Sequence, residues 1–379
     1  MRLCIVTDFF VPHYQGGGER RYYELLKRLA TKGHKIDLLC MKLEGVENYE
    51  YIEGINVHHI GPTIKNPPER KAIDFLRFVL AVSGWLLRHN YDLVEANTWV
   101  PLIPVSLFGR CRGAKTSAVI HDLSSGSPDQ WMKEPSSARL FERLLVRLPF
   151  DRLLCVSNAV KERLVKENHI RPEKIGVFYD GVDIKLIDSV KSGKKESDTI
   201  AYVGRLIPHK HVEDLIEAAR LIKKEVPSIR LKVIGGGQEL ESLKALAKKQ
   251  GLEKNITFFG VVPEYKDMIK EIKKSQLLVL PSTREGFGIV LVEAFASSIP
   301  VIAYRTDGVV EVIDDGLNGF LVRQRDVKTL AKKIKLLLSD KKKASSFAEN
   351  GREKTERMFG WDKIAAELEK FYFSILGPR

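Results

Sequence analysis

Cysteine is scarce in this chain. Only four occur in 379 residues, at Cys4, Cys40, Cys111 and Cys155, with no Cys-x-x-Cys and no metal-like clustering with histidine along the sequence. Cys4, Cys40 and Cys155 lie in apolar, strand-like runs, which suits small buried hydrophobes in a reducing compartment. Long hydrophobic runs are also missing. Stretches such as 78–87 fall short of a membrane span and are interrupted by polar residues. The opening Met1-Arg2-Leu3-Cys4-Ile5-Val6 reaches Asp8 too soon to form a secretory leader. A cytoplasmic location is therefore expected. No zinc finger, basic zipper or aromatic-interleaved basic motif appears, so no nucleic-acid partner is expected. Short-period repeats and low-complexity tracts are absent.

What is present is ordinary for a folded chain: 44% hydrophobic and 29% charged residues, in a length that allows two domains with separate cores. The net charge of +13 owes much to lysines on helical faces, such as Lys223-Lys224, Lys332-Lys333 and Lys341-Lys342-Lys343. Surface solubility is one reading of that excess, and peripheral contact with an anionic membrane is the other.

Apolar strand-like runs alternate with helical patterns throughout. Leu3–Val6, Lys35–Cys40, Leu93-Val94, Ala118–Ile120, Leu153–Val156 and Ile175–Phe178 read as strands of one series. A glycine-rich turn at Gly16-Gly17-Gly18 leads into a helix over Glu19–Thr31, and Ser157 caps a helix over Ala159–Lys166. A second series runs through Ile200–Val203, Leu231–Ile234, Ile256–Phe259, Leu277–Leu280 and Val301–Ala303. Such alternation predicts an α/β protein with parallel sheets and right-handed crossovers. Asp188–Asp198 is polar and free of apolar periodicity, and reads as the interdomain linker. The expected domains are 1–190 and 198–360.

The most informative stretch is Ser282–Glu293. A buried strand ends just before Glu285; Gly286 and Gly288 let the backbone turn tightly and approach a ligand. Ile289–Ala296 is helical in character, so the N–H groups of Phe287, Gly288, Ile289 and Val290 suit a phosphate at a positive dipole end. Glu285 and Glu293 are carboxylates placed to accept sugar or ribose hydroxyls, Glu293 taking a vicinal diol with both oxygens. Upstream, Arg205 and Lys210 follow the strand Ile200–Val203 and supply two cations at a strand's carboxyl end, where open α/β sheets bind ligands. They suit a departing diphosphate. The geometry suggests a nucleotide-sugar site.

These segments together resemble the retaining glycosyltransferases of family 4, built on two facing Rossmann-like domains (the GT-B fold) with the donor cleft between them. The matching residues are Glu285-x7-Glu293 within PSTREGFGIVLVEAFA, Gly204-Arg205 with Lys210, Pro300-Val301-Ile302-Ala303, Asp315-Gly316-Leu317-Asn318-Gly319-Phe320-Leu321-Val322, and Gly16-Gly17-Gly18-Glu19-Arg20. The resemblance covers nearly the whole chain, most densely over 199–323.

Several expectations rest on that resemblance. A sugar would pass from a nucleoside-diphosphate sugar, UDP- or GDP-linked, to the hydroxyl of a glycolipid, polysaccharide or small sugar, with retention at the anomeric carbon. His121 would face the transferring sugar, Gly16 and Gly17 would lie beside the diphosphate, Val262 would support the base, and the final helix, 361–379, would cross back to the first domain. No Asp-x-Asp occurs, so a metal-dependent single-domain transferase is not expected; no metal and no cofactor are assigned. A lipid-linked or polysaccharide acceptor would meet the loops Ile64–Arg77 and Ser124–Arg139 at the inner membrane face. The chain departs from the family pattern at Asp180, at Thr306-Asp307-Gly308 and at Ser298. Alternatives are a related two-domain nucleotide-sugar epimerase or phosphorylase, or a non-catalytic homologue.

Overall fold

The computed structural model describes residues 1–14, 16–67, 69–123 and 135–377, with the backbone alone over 135–139. The chain forms two compact units: Met1–Asp180 together with Trp361–Arg379, and Gly181–Gly360.

Among the described residues, the first unit is built on β1 (Arg2–Val6), β2 (Lys35–Leu43), β3 (Tyr49–Ile52), β4 (Ile55–Ile64), β5 (Leu93–Asn97), β6 (Lys115–Ile120), β7 (Arg152–Cys155) and β8 (Ile175–Val177). Their order in the sheet is β3-β4-β2-β1-β5-β6-β7-β8. All pairings are parallel except β3 with β4. Leu3–Val6 and the whole of β5 are buried, as expected of strands covered on both faces. The hairpin β3–β4 was not anticipated. Its turn is Glu53-Gly54, both at positive φ (+49° and +87°), and a leading glutamate is a weaker hairpin signal than asparagine or aspartate.

Ser157 Oγ accepts the Val160 N–H at 3.2 Å and caps the helix Asn158–Asn168. The expected glycine turn differs. Gly17 and Gly18 are already the first residues of the helix Gly17–Thr31, with Gly16 as N-cap.

The helix Trp361–Leu376 belongs to the first unit and buries Trp361, Ile364, Ala365, Leu368, Tyr372 and Ile375 along one face, the spacing of an amphipathic helix. Arg28 reaches Asp362 at 2.6 Å, and His34 reaches Glu369 at 2.6 Å. Deeper in, the carboxylate of Glu95 on β5 receives the hydroxyls of Tyr22 (2.6 Å), Ser117 (2.6 Å) and Tyr372 (2.8 Å). Burial raises the Glu95 pKa, and these donors pull it back.

The second unit carries β9 (Thr199–Val203), β10 (Arg230–Ile234), β11 (Ile256–Gly260), β12 (Leu277–Leu280), β13 (Val301–Tyr304) and β14 (Gly319–Val322), in the order β11-β10-β9-β12-β13-β14 and parallel throughout. The polar stretch 188–198 runs inside this unit. Lys273 Nζ donates to the carbonyls of Ile187 (2.6 Å) and Val190 (2.8 Å), and Glu196 N–H donates to Lys274 O (2.7 Å). The chain changes units at 180–181 and again at 360–361. No helix among the described residues is long and apolar enough to cross a membrane.

Tyr372→Phe removes one donor from a buried carboxylate. It should lower stability by about 1.5–3 kcal/mol, read as an earlier denaturant midpoint; an unchanged midpoint would show that Glu95 does not need that hydroxyl.

Candidate active site

In the second unit the strand order reverses between β9 and β12. From β9 the chain winds outward to β10 and β11, and from β12 to β13 and β14. A reversal of this kind opens a crevice at the carboxyl ends of the two strands. The loop after β9 carries Gly204, Arg205 and Lys210; the loop after β12 carries Ser282–Gly288. The two loops are tied together. Thr283 N–H donates to His209 O at 2.9 Å, and His211 Nε2 lies 3.1 Å from Thr283 Oγ1.

Lys210 closes the short 3-10 turn Pro208–Lys210, and its Nζ lies 2.6 Å from Glu285 Oε1. Both side chains are largely shielded. Burial alone would raise the Glu285 pKa. The Lys210 charge and hydrogen bond, with help from Ser282 and His209, hold it below the usual carboxylate range. Removing one partner of such a pair costs about 3–5 kcal/mol, whereas replacing both can be nearly neutral. The sequence placed these residues in separate roles; the structure puts them in contact.

Glycine shapes this region by close backbone approach. A Cβ on Gly235 would stand 1.9 Å from Gly204 O, one on Gly237 2.3 Å from Leu206 O, and one on Gly308 2.1 Å from Gly286 O. Gly235-Gly236-Gly237 therefore lets the loop after β10 lie against the loop after β9, with Leu206 N–H bonded to Gly236 O at 2.8 Å. Gly308, the last residue of the Thr306-Asp307-Gly308 departure, has no room for a side chain because the loop after β13 backs directly onto Gly286. Gly288 (φ +90°) is the N-cap of the helix Ile289–Ala296, and Phe287 is buried edge-on against Phe359 at 5.4 Å. Val290 is buried and Ile289 partly so. Glu293, fifth in that helix, is only 6% exposed and is no solvated surface charge. Arg205 is exposed, and its carbonyl accepts the Tyr202 hydroxyl at 3.0 Å. Val262 is half-buried just after β11. Arg205, Lys210, Glu285 and Glu293 all belong to the second unit.

In the first unit the order reverses between β1 and β5. His121 follows β6, and its Nε2 lies 2.5 Å from Asn97 Oδ1 at the end of β5. Asn97 Nδ2 donates to Thr7 Oγ1 at 3.1 Å, which makes its Oδ1 an acceptor and places the His121 proton on Nε2. A Cβ on Gly18 would touch the His121 ring at 3.5 Å, one on Gly16 would strike Glu19 Oε2 at 2.5 Å, and Gly17 faces open space. None of the three needs a left-handed conformation. Buried Arg21 pairs with Asp180 Oδ1 at 2.7 Å, which gives the unusual Asp180 a partner. Burial and the Arg21 charge lower the His121 pKa, against Asp180, to about 4. The lowered pKa favours neutral imidazole at pH 7, a hydrogen-bonding group and a weaker base than an ordinary histidine. Asn97, Thr7 and Arg21 carried no sequence signal beyond being polar. Of the expected acceptor loop 124–139, residues 124–134, with Trp131, lie outside the described residues, and 135–139 belong instead to the helix Pro135–Val146.

The family model described as Glycosyltransferase Family 4 matches residues 15–186, and that described as Glycosyl transferases group 1 matches residues 184–354. A glycosyltransferase of Methanocaldococcus jannaschii is 30% identical over 370 residues, 97% of each chain. The chain belongs to the family 4 glycosyltransferases. Among solved structures, this glycosyltransferase is similar to sucrose-phosphate synthase from Thermosynechococcus elongatus (TM-score 0.85, 21% identity, 98% of each chain). It is also similar to Anabaena HepE in complex with UDP-glucose (TM-score 0.79, 20% identity, 98% of this chain and 99% of that one). These likenesses carry the fold, two parallel-sheet domains of the GT-B type.

The lowered His121 pKa has a measurable sign. Between about 6.5 and about 4 the unfolded chain holds a proton that the folded glycosyltransferase refuses, so this contribution to stability is present above 6.5 and lost as pH falls. NMR titration of the His121 ring should give a midpoint near 4, and His121→Asn should flatten the fall in stability over that window. A midpoint near 6.5 would contradict the assignment.

Proposed function

We propose that this glycosyltransferase transfers a hexosyl group from a UDP-sugar to an acceptor hydroxyl with retention of anomeric configuration. The observation that carries the reading is the Lys210–Glu285 pair at the strand reversal of the second unit, beside the start of a glycine-capped helix. A nucleoside diphosphate needs cations and N–H donors, and a sugar needs acceptors for its hydroxyls. Arg205 and Lys210 supply the first, with the N–H groups of Phe287–Val290; Glu285 supplies the second. Glu293 takes the ribose diol and Val262 flanks the base. HepE, of the same fold, holds UDP-glucose, which favours uridine.

In the reaction the bond from the anomeric carbon to the diphosphate oxygen breaks and a bond to the acceptor oxygen forms on the same face. Charge builds on the leaving diphosphate, and Lys210 and Arg205 neutralise it without a bound divalent ion. Lys210 must turn part of its charge from Glu285 to the diphosphate, while Glu285 turns to the sugar hydroxyls. Neutral His121, with its ring held by Asn97, is assigned hydrogen bonding to the transferred sugar. Gly16 and Gly17, at the N-terminus of the first helix, are assigned to the phosphate side.

A lipid-linked acceptor and peripheral contact with the cytoplasmic face of an anionic membrane draw support from the helix Ala72–Leu86. Ile73, Leu76 and Leu80 form an exposed stripe, Leu76 at 53% and Leu80 at 62%, beside exposed Lys71 and Arg77.

Lys210→Met with Glu285→Gln removes both charges together, which spares the fold. That variant should keep its melting temperature within a few degrees and lose about 10²–10³-fold in rate. NMR of the wild-type product from an α-linked UDP-sugar should show an α-linkage. Undiminished turnover in the variant sinks the site, and a β-product sinks retention.

Leu76→Glu with Leu80→Glu should abolish sedimentation with phosphatidylglycerol vesicles while leaving transfer to a soluble acceptor unchanged. Equal sedimentation of variant and wild type would rule out this stripe as the contact.

A further inference from the structure

The two loops at the strand reversal do not account for a second cluster of reactive side chains in the first unit. His13 lies in the loop between β1 and the helix Gly17–Thr31, Glu50 on β3 and His59 on β4. His13 Nε2 is 2.9 Å from Glu50 Oε2, and His59 Nε2 is 2.7 Å from the same oxygen. The three ligand atoms lie within 4.8 Å of one another.

The sheet explains how they meet. Glu50 stands opposite Val57 on antiparallel β3–β4, so Glu50 and His59, two residues further on, share a face as diagonal neighbours. Cys40 is the partner of His59 on parallel β2–β4, and its Sγ lies 3.4 Å from His59 Nδ1. The ring is thus held with Nε2 turned toward Glu50, the way an outer partner orients a ligating imidazole. His59 is buried and His13 partly exposed, which leaves one side of the cluster open to water.

We propose that His13, Glu50 and His59 form a binding site for a divalent transition ion, with zinc as the reference metal. Two imidazole nitrogens and one carboxylate oxygen are a donor set that zinc takes with water in its fourth position. With bonds of about 2.0–2.2 Å, tetrahedral ligand atoms stand about 3.3 Å apart, so the cluster must widen by roughly half an ångström. Exposed His13 can supply that movement. The bound ion pins the loop after β1 to the edge hairpin, and that loop ends at Gly16, the N-cap of the first helix. The site serves loop position and does not rest on the transfer reaction proposed above.

Full-length protein stripped with chelator should take up one equivalent of Zn²⁺ by calorimetry. At a hundredfold excess over Kd its melting temperature should rise by about 5–10 °C. His13→Ala and Glu50→Gln, each with unchanged circular dichroism, should bind at least about 100-fold more weakly, since losing even an outer partner costs about 10–100-fold. Co²⁺ substitution should give visible bands without a thiolate charge-transfer band. No stoichiometric uptake by the wild type, equal uptake by both variants, or a thiolate band would each overturn the assignment.

Discussion

The contact between Lys210 and Glu285 is the constraint on which the second unit's candidate site depends. Two loops leave neighbouring strands β9 and β12, and a 2.6 Å ion pair, with the Thr283–His209 hydrogen bond, ties them together. Neither charge is well hydrated, and the Lys210 charge holds the Glu285 carboxyl below its usual range. The proposed diphosphate-sugar donor would offer both what they lack in water: an anion for the lysine and hydroxyl donors for the carboxylate. In the proposed reaction the resting pair would hold the cation and the acceptor ready where charge must be redistributed, which lowers the reorganisation such a step requires.

Around that pair the backbone is packed more tightly than side chains allow. Gly235 against Gly204, Gly237 against Leu206 and Gly308 against Gly286 each bring one strand-end loop onto another. Loops held this closely cannot drift independently, and the ion pair inherits their rigidity. The first unit solves the same problem differently. There a hydrogen-bonded file of Thr7, Asn97 and His121 joins the ends of β1, β5 and β6, and burial keeps the imidazole neutral.

The repeating βα pattern was legible because buried parallel strands are continuous apolar runs, and Leu277–Leu280 or Leu3–Val6 could hardly be anything else. The β3–β4 hairpin was not, since Tyr49-Glu50-Tyr51 is half exposed and turns at a glutamate. Gly16–Gly18 looked like a turn because glycine usually marks one; here it opens a helix, and Gly18 serves the approach to His121. Loop membership of Lys210 and Glu285 could be read, but their contact could not, because 75 residues separate them and only the sheet order makes their strands adjacent. The same applies to His13, Glu50 and His59, whose proximity depends on a hairpin the pattern did not reveal.

The three hydroxyls on Glu95 come from residues 22, 117 and 372, and this has a bearing on biosynthesis. As the polypeptide emerges from a ribosome, the unit spanning Gly181–Gly360 is complete in one continuous passage. The earlier-made unit still waits for its last helix, with the buried Glu95 carboxyl short of one donor. The portion translated first is thus the portion finished last.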